Sequence, residues 1–208
     1  MTPNMTTTPS FTAKDVQDLR QRTGAGMMDA KKALVETGGD MAKAMDLLRA
    51  KGIAKAEKRA GRAAGEGAIG SYIHHNGKVG VMVEVSCETD FVARTEDFKT
   101  LVKQLAEHIA GSPIVPLAVE RDGVPAERVE RERHKFEEQV RESGKPDNLV
   151  AKILEGKVEA FYKDVVLLSQ PWIREPKNTI GELVKEASAR LGENVSVRRF
   201  VRFKLGEE

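Results

Sequence analysis

The chain has 208 residues, 40% hydrophobic, 32% charged and 5% aromatic, and its 34 basic and 32 acidic side chains leave a net charge of +2. That apolar share supports one large or two small packed domains and excludes a disordered chain. Near-balanced charge and few aromatics argue against a dedicated nucleic-acid surface, which needs a basic excess on one face and platforms for bases.

No apolar run approaches the ~20 residues needed to cross a bilayer, and the Thr/Pro-rich start lacks the apolar segment of a secretion signal. The single cysteine, Cys87, has no partner for an internal disulfide or a cysteine zinc site. A cytoplasmic protein without membrane contact is expected.

Residues 1–11 read as a disordered tail. Thr12 then sits as the N-cap of a first helix over residues 13–22, with Val16 and Leu19 turned inward. Thr23-Gly24-Ala25-Gly26 breaks it, and a second helix over 28–36 ends at Gly38-Gly39. Asp40 caps a third, over 41–51, which Gly52 is expected to stop. Residues 12–52 thus form a three-helix module, 53–66 a basic, alanine-rich, partly helical linker, and 67–208 an α+β core.

In the core the periodicity changes to that of strands. Residues 67–74 lead to Asn76-Gly77, a two-residue hairpin signal, and Val79, Val81, Val83 and Val85 share one face of the return strand. A helix over 96–110 carries the stripe Phe98, Leu101, Val102, Leu105, Ile109. A charged helix spans 126–142, and two more, over 149–155 and 157–167, flank Gly156. Pro171 and Pro176 mark irregular chain. Thr179-x-x-Glu182 is a capping box for 180–191, ended by Gly192, and Val195, Val197, Val201 and Phe203 alternate in a last strand over 195–205. Three strands among helices in this order predict an antiparallel sheet packed with helices.

Catalytic patterns are sparse. The TGAG turn lacks both the third glycine of a dinucleotide loop and the Gly-Lys-Ser/Thr of a phosphate loop, and it follows a helix, so a helix–helix turn is the better reading. Cys87 ends an apolar strand, where a buried structural thiol is commoner than a nucleophile. His74, His75, His108 and His134 show no metal-ligand spacing. Lys55, Lys58, Arg59 and Arg62 fit a solvated helix face better than an RNA contact. Two features stand out. Met27-Met28 follows the glycine turn, either filling a core gap or forming an adaptable contact surface. In Thr89-Asp90-Phe91-Val92, either Phe91 folds onto the sheet while Asp90 caps a turn, or both are presented to a partner.

At these segments the sequence resembles a known family. LRQRTGAGMMDAKKAL, residues 19–34, is similar to the N-terminal signature of the bacterial translation elongation factor Ts family, and EVSCETDFVAR, residues 84–94, to its second signature. QPWIREPKNTIGELVKEASARLGENVSVRRFVRF, residues 170–203, resembles the C-terminal part of its short members. Ala30 stands where many members carry cysteine, and Ser86 where asparagine is common; neither lies within Met27-Met28 or Thr89–Val92.

The resemblance implies a guanine-nucleotide exchange factor for elongation factor Tu, bound in its GDP-bound and nucleotide-free forms. It implies no covalent chemistry, no cofactor or metal of its own, and no direct contact with nucleic acid. It implies a ubiquitin-associated-like N-terminal module and a sheeted core that touches the GTPase. Phe91 is then the wedge that dislodges the partner's Mg²⁺, Asp90 the polar disruptor, and Thr89 and Val92 the residues that set the loop; Phe91 is expected to be exposed in the free protein. Arg20, Met27 and Met28 are implied at the N-terminal module's contact with the partner. Longer members carry a second core half and a coiled-coil arm, and 208 residues are too few for both. A homodimer is therefore expected, and because Cys87 lies in the second signature no intersubunit disulfide should hold it.

Overall fold

The computed structural model describes residues 11–142 and 147–207; the expected tail, apart from Phe11, lies outside them. Three helices come first, α1 (Ala13–Thr23), α2 (Met27–Glu36) and α3 (Met41–Glu57). The hairpin of β1 (Glu66–Ile73) and β2 (Val79–Cys87) follows. After it come α4 (Asp90–Ala93), α5 (Glu96–Gly111), α6 (Ala126–Glu142) and α7 (Asp147–Val165). The chain finishes with β3 (Pro171–Trp172), β4 (Glu175–Thr179), α8 (Ile180–Leu191) and β5 (Ser196–Lys204).

Local chemistry starts the first helix. The Thr12 hydroxyl accepts from the Asp15 N–H, and the Asp15 carboxylate accepts from the Thr12 N–H at 2.7 Å, which together satisfy two of the free donors of α1. Phe11, assigned to the tail on sequence, packs on the cluster that contains Val16, as a hydrophobic staple does. Gly24 ends α1 with φ 67°, a conformation that costs a side-chain-bearing residue ~1–2 kcal/mol. Val16, Leu19, Ala30, Ala33, Leu34, Ala44 and Leu48 form the buried cluster of these helices.

Gly52 does not stop α3, which continues to Glu57. A Cβ on Gly52 would lie 3.1 Å from the Ala189 methyl, so this glycine lets α3 press against α8. Packing has overridden the local signal. The same contact carries Arg49 to Glu186 and, at 2.7 Å, to Asn178, as well as Lys185 to Glu57 at 2.7 Å. Gly156 likewise sits inside a single α7 rather than between two helices. Val150, Leu154, Val158, Phe161 and Val165 lie on one helical stripe through it, and the ~1 kcal/mol cost of a helical glycine does not interrupt a stripe of that length. Lys157 reaches Gln139 and lies over the Phe136 ring, while Val129 joins Val165 near the other end, so α6 and α7 pair antiparallel.

The main sheet is antiparallel in the order β1-β2-β5. Val81, Val83, Val85 and Cys87 of the central strand are buried against Phe98, Leu101, Leu105 and Ile109 of α5 and Ile180, Val184 and Ala187 of α8. Each valine contributes ~1.5–3 kcal/mol of burial. The segment read as irregular holds a two-stranded ribbon, Pro171 opposite Thr179 and Trp172 opposite Glu175, too short and too interrupted by proline to show a period.

His108, on the buried face of α5, organises a polar knot. Its Nδ1 accepts from the Ile173 N–H, so its Nε2–H donates to Gln170 Oε1 at 3.0 Å, and the Gln170 amide donates to the carbonyls of Ile114 and Asp164. Burial holds the imidazole below its ordinary 6.5, opposed by the Gln170 bond. The unfolded chain therefore takes up a proton that the native state refuses. Stability falls as pH drops below about 6.5, by at most ~1.4 kcal/mol per pH unit for one proton. Urea unfolding at pH 5 and 7 should show this loss, and His108→Gln should flatten it.

Candidate functional site

The Thr-Asp-Phe-Val segment is one helical turn leaving the central strand. Thr89 caps it: the hydroxyl accepts from the Val92 N–H and donates to Glu193 Oε1 at 2.6 Å. Val92 points into the main core at 7% exposure, whereas its neighbour Phe91 is 77% exposed. The two meet opposite fates because successive helical side chains point about 100° apart. Asp90 is exposed and pairs with Arg94 at 2.6 Å, an i,i+4 pair across the turn. Thr95 then caps α5 by accepting from the Phe98 N–H.

Three further groups tie the turn to the body. The Cys87 thiol donates to the Thr89 carbonyl at 3.2 Å. Glu193, in the connection from α8 to β5, accepts from the Glu88 and Thr89 N–H groups, each at 3.0 Å, besides the Thr89 hydroxyl. In return the Glu88 carboxylate accepts from the Asn194 N–H at 2.7 Å. Neither Glu193 nor Asn194 carried a local signal, because their partners lie more than a hundred residues away in sequence, at separations of 104 and 106.

Arg20, Met27 and Met28 stand on either side of the junction of α1 and α2. Arg20 is exposed on the last turn of α1, and Met27 and Met28 open α2 at 46% and 63% exposure, so the methionines are surface rather than core filler. These three and the Thr89–Val92 turn stand on separate elements. Arg190 of α8 comes within 3.0 Å of where a Gly24 Cβ would be and faces Asp97 of α5 at 3.8 Å.

Several of the remaining sequence candidates are engaged in structural contacts, whereas Lys58 is exposed just after α3. The glycine turn ends α1 and starts α2. Among the cations lining the cleft of about 450 Å³ beside it are Arg49, Lys51, Lys55 and Arg59. Each already has a partner: Glu186 with Asn178, Glu36, Asp29, and the Ser188 carbonyl respectively. Arg62 faces Glu88 at 3.5 Å, so these linker cations tie the first helices and the chain leaving them to the core. Among the described residues no three His, Cys, Asp or Glu side chains cluster to hold a metal, and no helix is long and apolar enough to cross a membrane.

Fold and site together define an α+β protein built on an antiparallel sheet, with Phe91, Met27 and Met28 exposed at the starts of helices. The sequence matches the family described as elongation factor Ts over residues 11–207. It is 54% identical to elongation factor Ts of Geobacter metallireducens over 95% of this chain and 91% of that one. It is 55% identical to that of Oleidesulfovibrio alaskensis over 95% and 98%, and 52% identical to that of Acetivibrio thermocellus over 94% and 90%. The chain belongs to the elongation factor Ts family, the translation elongation factors that its N-terminal and Thr-Asp-Phe-Val signatures resemble.

Cys87 is fully buried, and its thiol is held above its ordinary value, chiefly by burial and then by the nearby Glu193 charge. Both effects keep it from acting as a thiolate nucleophile. A thiol reagent at neutral pH should label the native chain only at the rate of unfolding, and denaturant should make the reaction immediate.

Proposed function

We propose that this chain is a guanine-nucleotide exchange factor for elongation factor Tu, accelerating GDP release during translation elongation without covalent chemistry or a cofactor of its own. The observation that carries the reading is Phe91, a 77% exposed aromatic on a turn anchored by a buried Val92 and by the Thr89–Glu193 bonds. An exposed aromatic held on a rigid support loses little entropy when it is buried in a partner.

Exchange requires only differential binding. A factor that binds the nucleotide-free GTPase more tightly than the GDP-bound one weakens nucleotide affinity by the same ratio. Each tenfold weakening takes ~1.4 kcal/mol. Burying Phe91 only in the nucleotide-free complex supplies ~1.5–3 kcal/mol, about tenfold to a hundredfold. In this reading Phe91 is the wedge and Asp90 the disruptor of the partner's Mg²⁺. The exposed Asp90–Arg94 pair is worth at most ~1 kcal/mol, so docking frees the carboxylate at small cost. Loss of Mg²⁺ leaves phosphate charge unneutralised, and GDP departs faster. Arg20, Met27 and Met28 form a second contact, with methionines that adapt to the partner surface. The cytoplasm is where such a factor works.

We infer also that two chains associate through the outer face of the sheet. Ile69, Ile73, Met82, Val201 and Phe203 alternate with the core-facing residues and are exposed; Met82 stands opposite Val201, and Phe203 opposite Gly80. A contiguous apolar face of this kind on one sheet suits a second copy related by a two-fold axis.

Labelled-GDP release from elongation factor Tu tests the exchange reading. Asp90→Ala with Phe91→Ala should slow stimulated release about tenfold to a hundredfold while leaving the unfolding curve unaltered. Release at the parent rate would overturn it. Light scattering tests the association: the parent should run at twice the 22.9 kDa chain mass, and Phe203→Glu at the single-chain mass. A single-chain mass for the parent at high concentration would refute the dimer.

A further inference from the structure

Resting on the exchange reading, we propose that Glu193 is a positioning residue for exchange: its carboxylate locks the Thr89–Val92 turn onto the body and so fixes where Phe91 projects. The arrangement is a reciprocal clasp. Oε2 of Glu193 takes the Glu88 and Thr89 N–H groups at 3.0 Å each, Oε1 takes the Thr89 hydroxyl at 2.6 Å, and the Glu88 carboxylate takes the Asn194 N–H at 2.7 Å. Two loops distant in sequence thus exchange carboxylate-to-backbone bonds, and hydrogen bonds to a charged acceptor are the stronger kind.

The chain geometry is built for it. Gly192 ends α8 at φ 78°, which turns the backbone so that the next residue comes back over the end of β2. The Ser188 hydroxyl holds the Glu193 carbonyl. The Asn194 side chain, 7% exposed, donates to the Arg62 carbonyl at 2.7 Å and reaches the Ala60 carbonyl at 3.4 Å. The clasp therefore also grips the segment that leaves the N-terminal helices. A single connection fixes the wedge to the same frame that carries Met27 and Met28.

The Thr89 hydroxyl accepts from the Val92 N–H at 3.4 Å while donating to Glu193. Without the carboxylate the hydroxyl has no fixed direction, and the Glu88 and Thr89 N–H groups lose their acceptor. The turn then holds by Val92, by the Cys87 thiol on the Thr89 carbonyl and by the Glu88–Asn194 bond one residue before it, none of which fixes the Thr89 hydroxyl. Phe91 would still be present, but it would sample many directions, and most of them miss a shaped pocket in the partner. The defect therefore falls on the release step rather than on encounter.

The test compares Glu193→Ala and the isosteric Glu193→Gln with the parent, each in the parent and the Phe91→Ala backgrounds, by labelled-GDP release from elongation factor Tu. Glu193→Ala should lower maximal stimulated release about tenfold and move the half-saturating concentration less than about threefold. Glu193→Gln, which keeps one acceptor oxygen, should fall between them. In the Phe91→Ala background the further loss should be smaller than in the parent, because only Asp90 is left to be misplaced. Labelling of native Cys87 should quicken in Glu193→Ala, because the segment covering the thiol has come loose.

Parent-like maximal release by a folded Glu193→Ala, or an equal further loss in the Phe91→Ala background, would overturn the proposal. If Glu193→Ala loses its far-UV circular dichroism, Glu193→Gln takes its place: slowed release supports the clasp, and parent-like release overturns it. A Phe91→Ala protein with undiminished exchange sinks the exchange reading itself and this proposal with it. A slowed Phe91→Ala alongside a parent-like Glu193→Ala sinks this proposal alone.

Discussion

Helix α8 is packed on two sides, and the rest of the molecule is arranged by that double burial. One face presents Ile180, Leu183, Val184 and Ala187 to the core beneath the sheet. Another meets α3, where Gly52 allows a close approach to Ala189 and where Arg49 and Lys185 cross the contact to Glu186 and Glu57. The helix is thus a shared wall between two hydrophobic clusters that would otherwise be independent. Close packing at a glycine tolerates little sliding, because an added methyl already meets a neighbour. The polar pairs around it are exposed and individually weak. They select the register of a contact that the packing holds.

The end of the same helix sets the position of the Thr89–Val92 turn. Gly192 turns the chain, Glu193 and Asn194 reach the strand end and the segment after α3, and β5 then returns beside β2. Rigidity and exposure are divided between adjacent residues of one turn: Val92 is sunk in the core and Phe91 stands in solvent. An exposed aromatic on a loose loop would lose part of its binding energy to ordering, whereas one on a capped turn keeps it for the partner. Exchange as proposed here, being differential binding, depends on this economy. The one thiol is buried, and Lys55, Arg59 and Arg62 pair with Asp29, the Ser188 carbonyl and Glu88.

The sheet divides its two faces differently. Its inner valines are held by α5 and α8, while its outer face carries isoleucine, methionine and phenylalanine at exposures usual for polar residues. The paired α6 and α7 stand apart from it. Their joint with the body is the cluster of Ala118, Val124, Val165 and Val166, braced by Arg121 stacked at 3.9 Å over Tyr162 and paired with Glu159. Motion of the pair would be expressed at this joint and at the buried His108–Gln170 knot, since Gln170 binds the Asp164 carbonyl near the end of α7.

Whatever a few neighbouring residues decide was legible in the sequence. Thr12 with Asp15, Thr179 with Glu182, Gly24 and Gly192 set helix ends through bonds spanning three or four residues, and the valines of β2 announce a half-buried strand by alternation. The two signatures were legible for the same reason: they are contiguous. The rest depends on the folded chain. Gly52 and Gly156 look like stops, yet they lie inside helices, because packing against α8 and the long stripe of α7 outweigh a local cost of ~1 kcal/mol. Glu193 looks like any surface carboxylate after a helix, and only the approach of β5 to β2 brings it onto Thr89. A bond between residues 104 positions apart leaves no mark on the neighbours of either, so it can be read only once the chain has closed on itself.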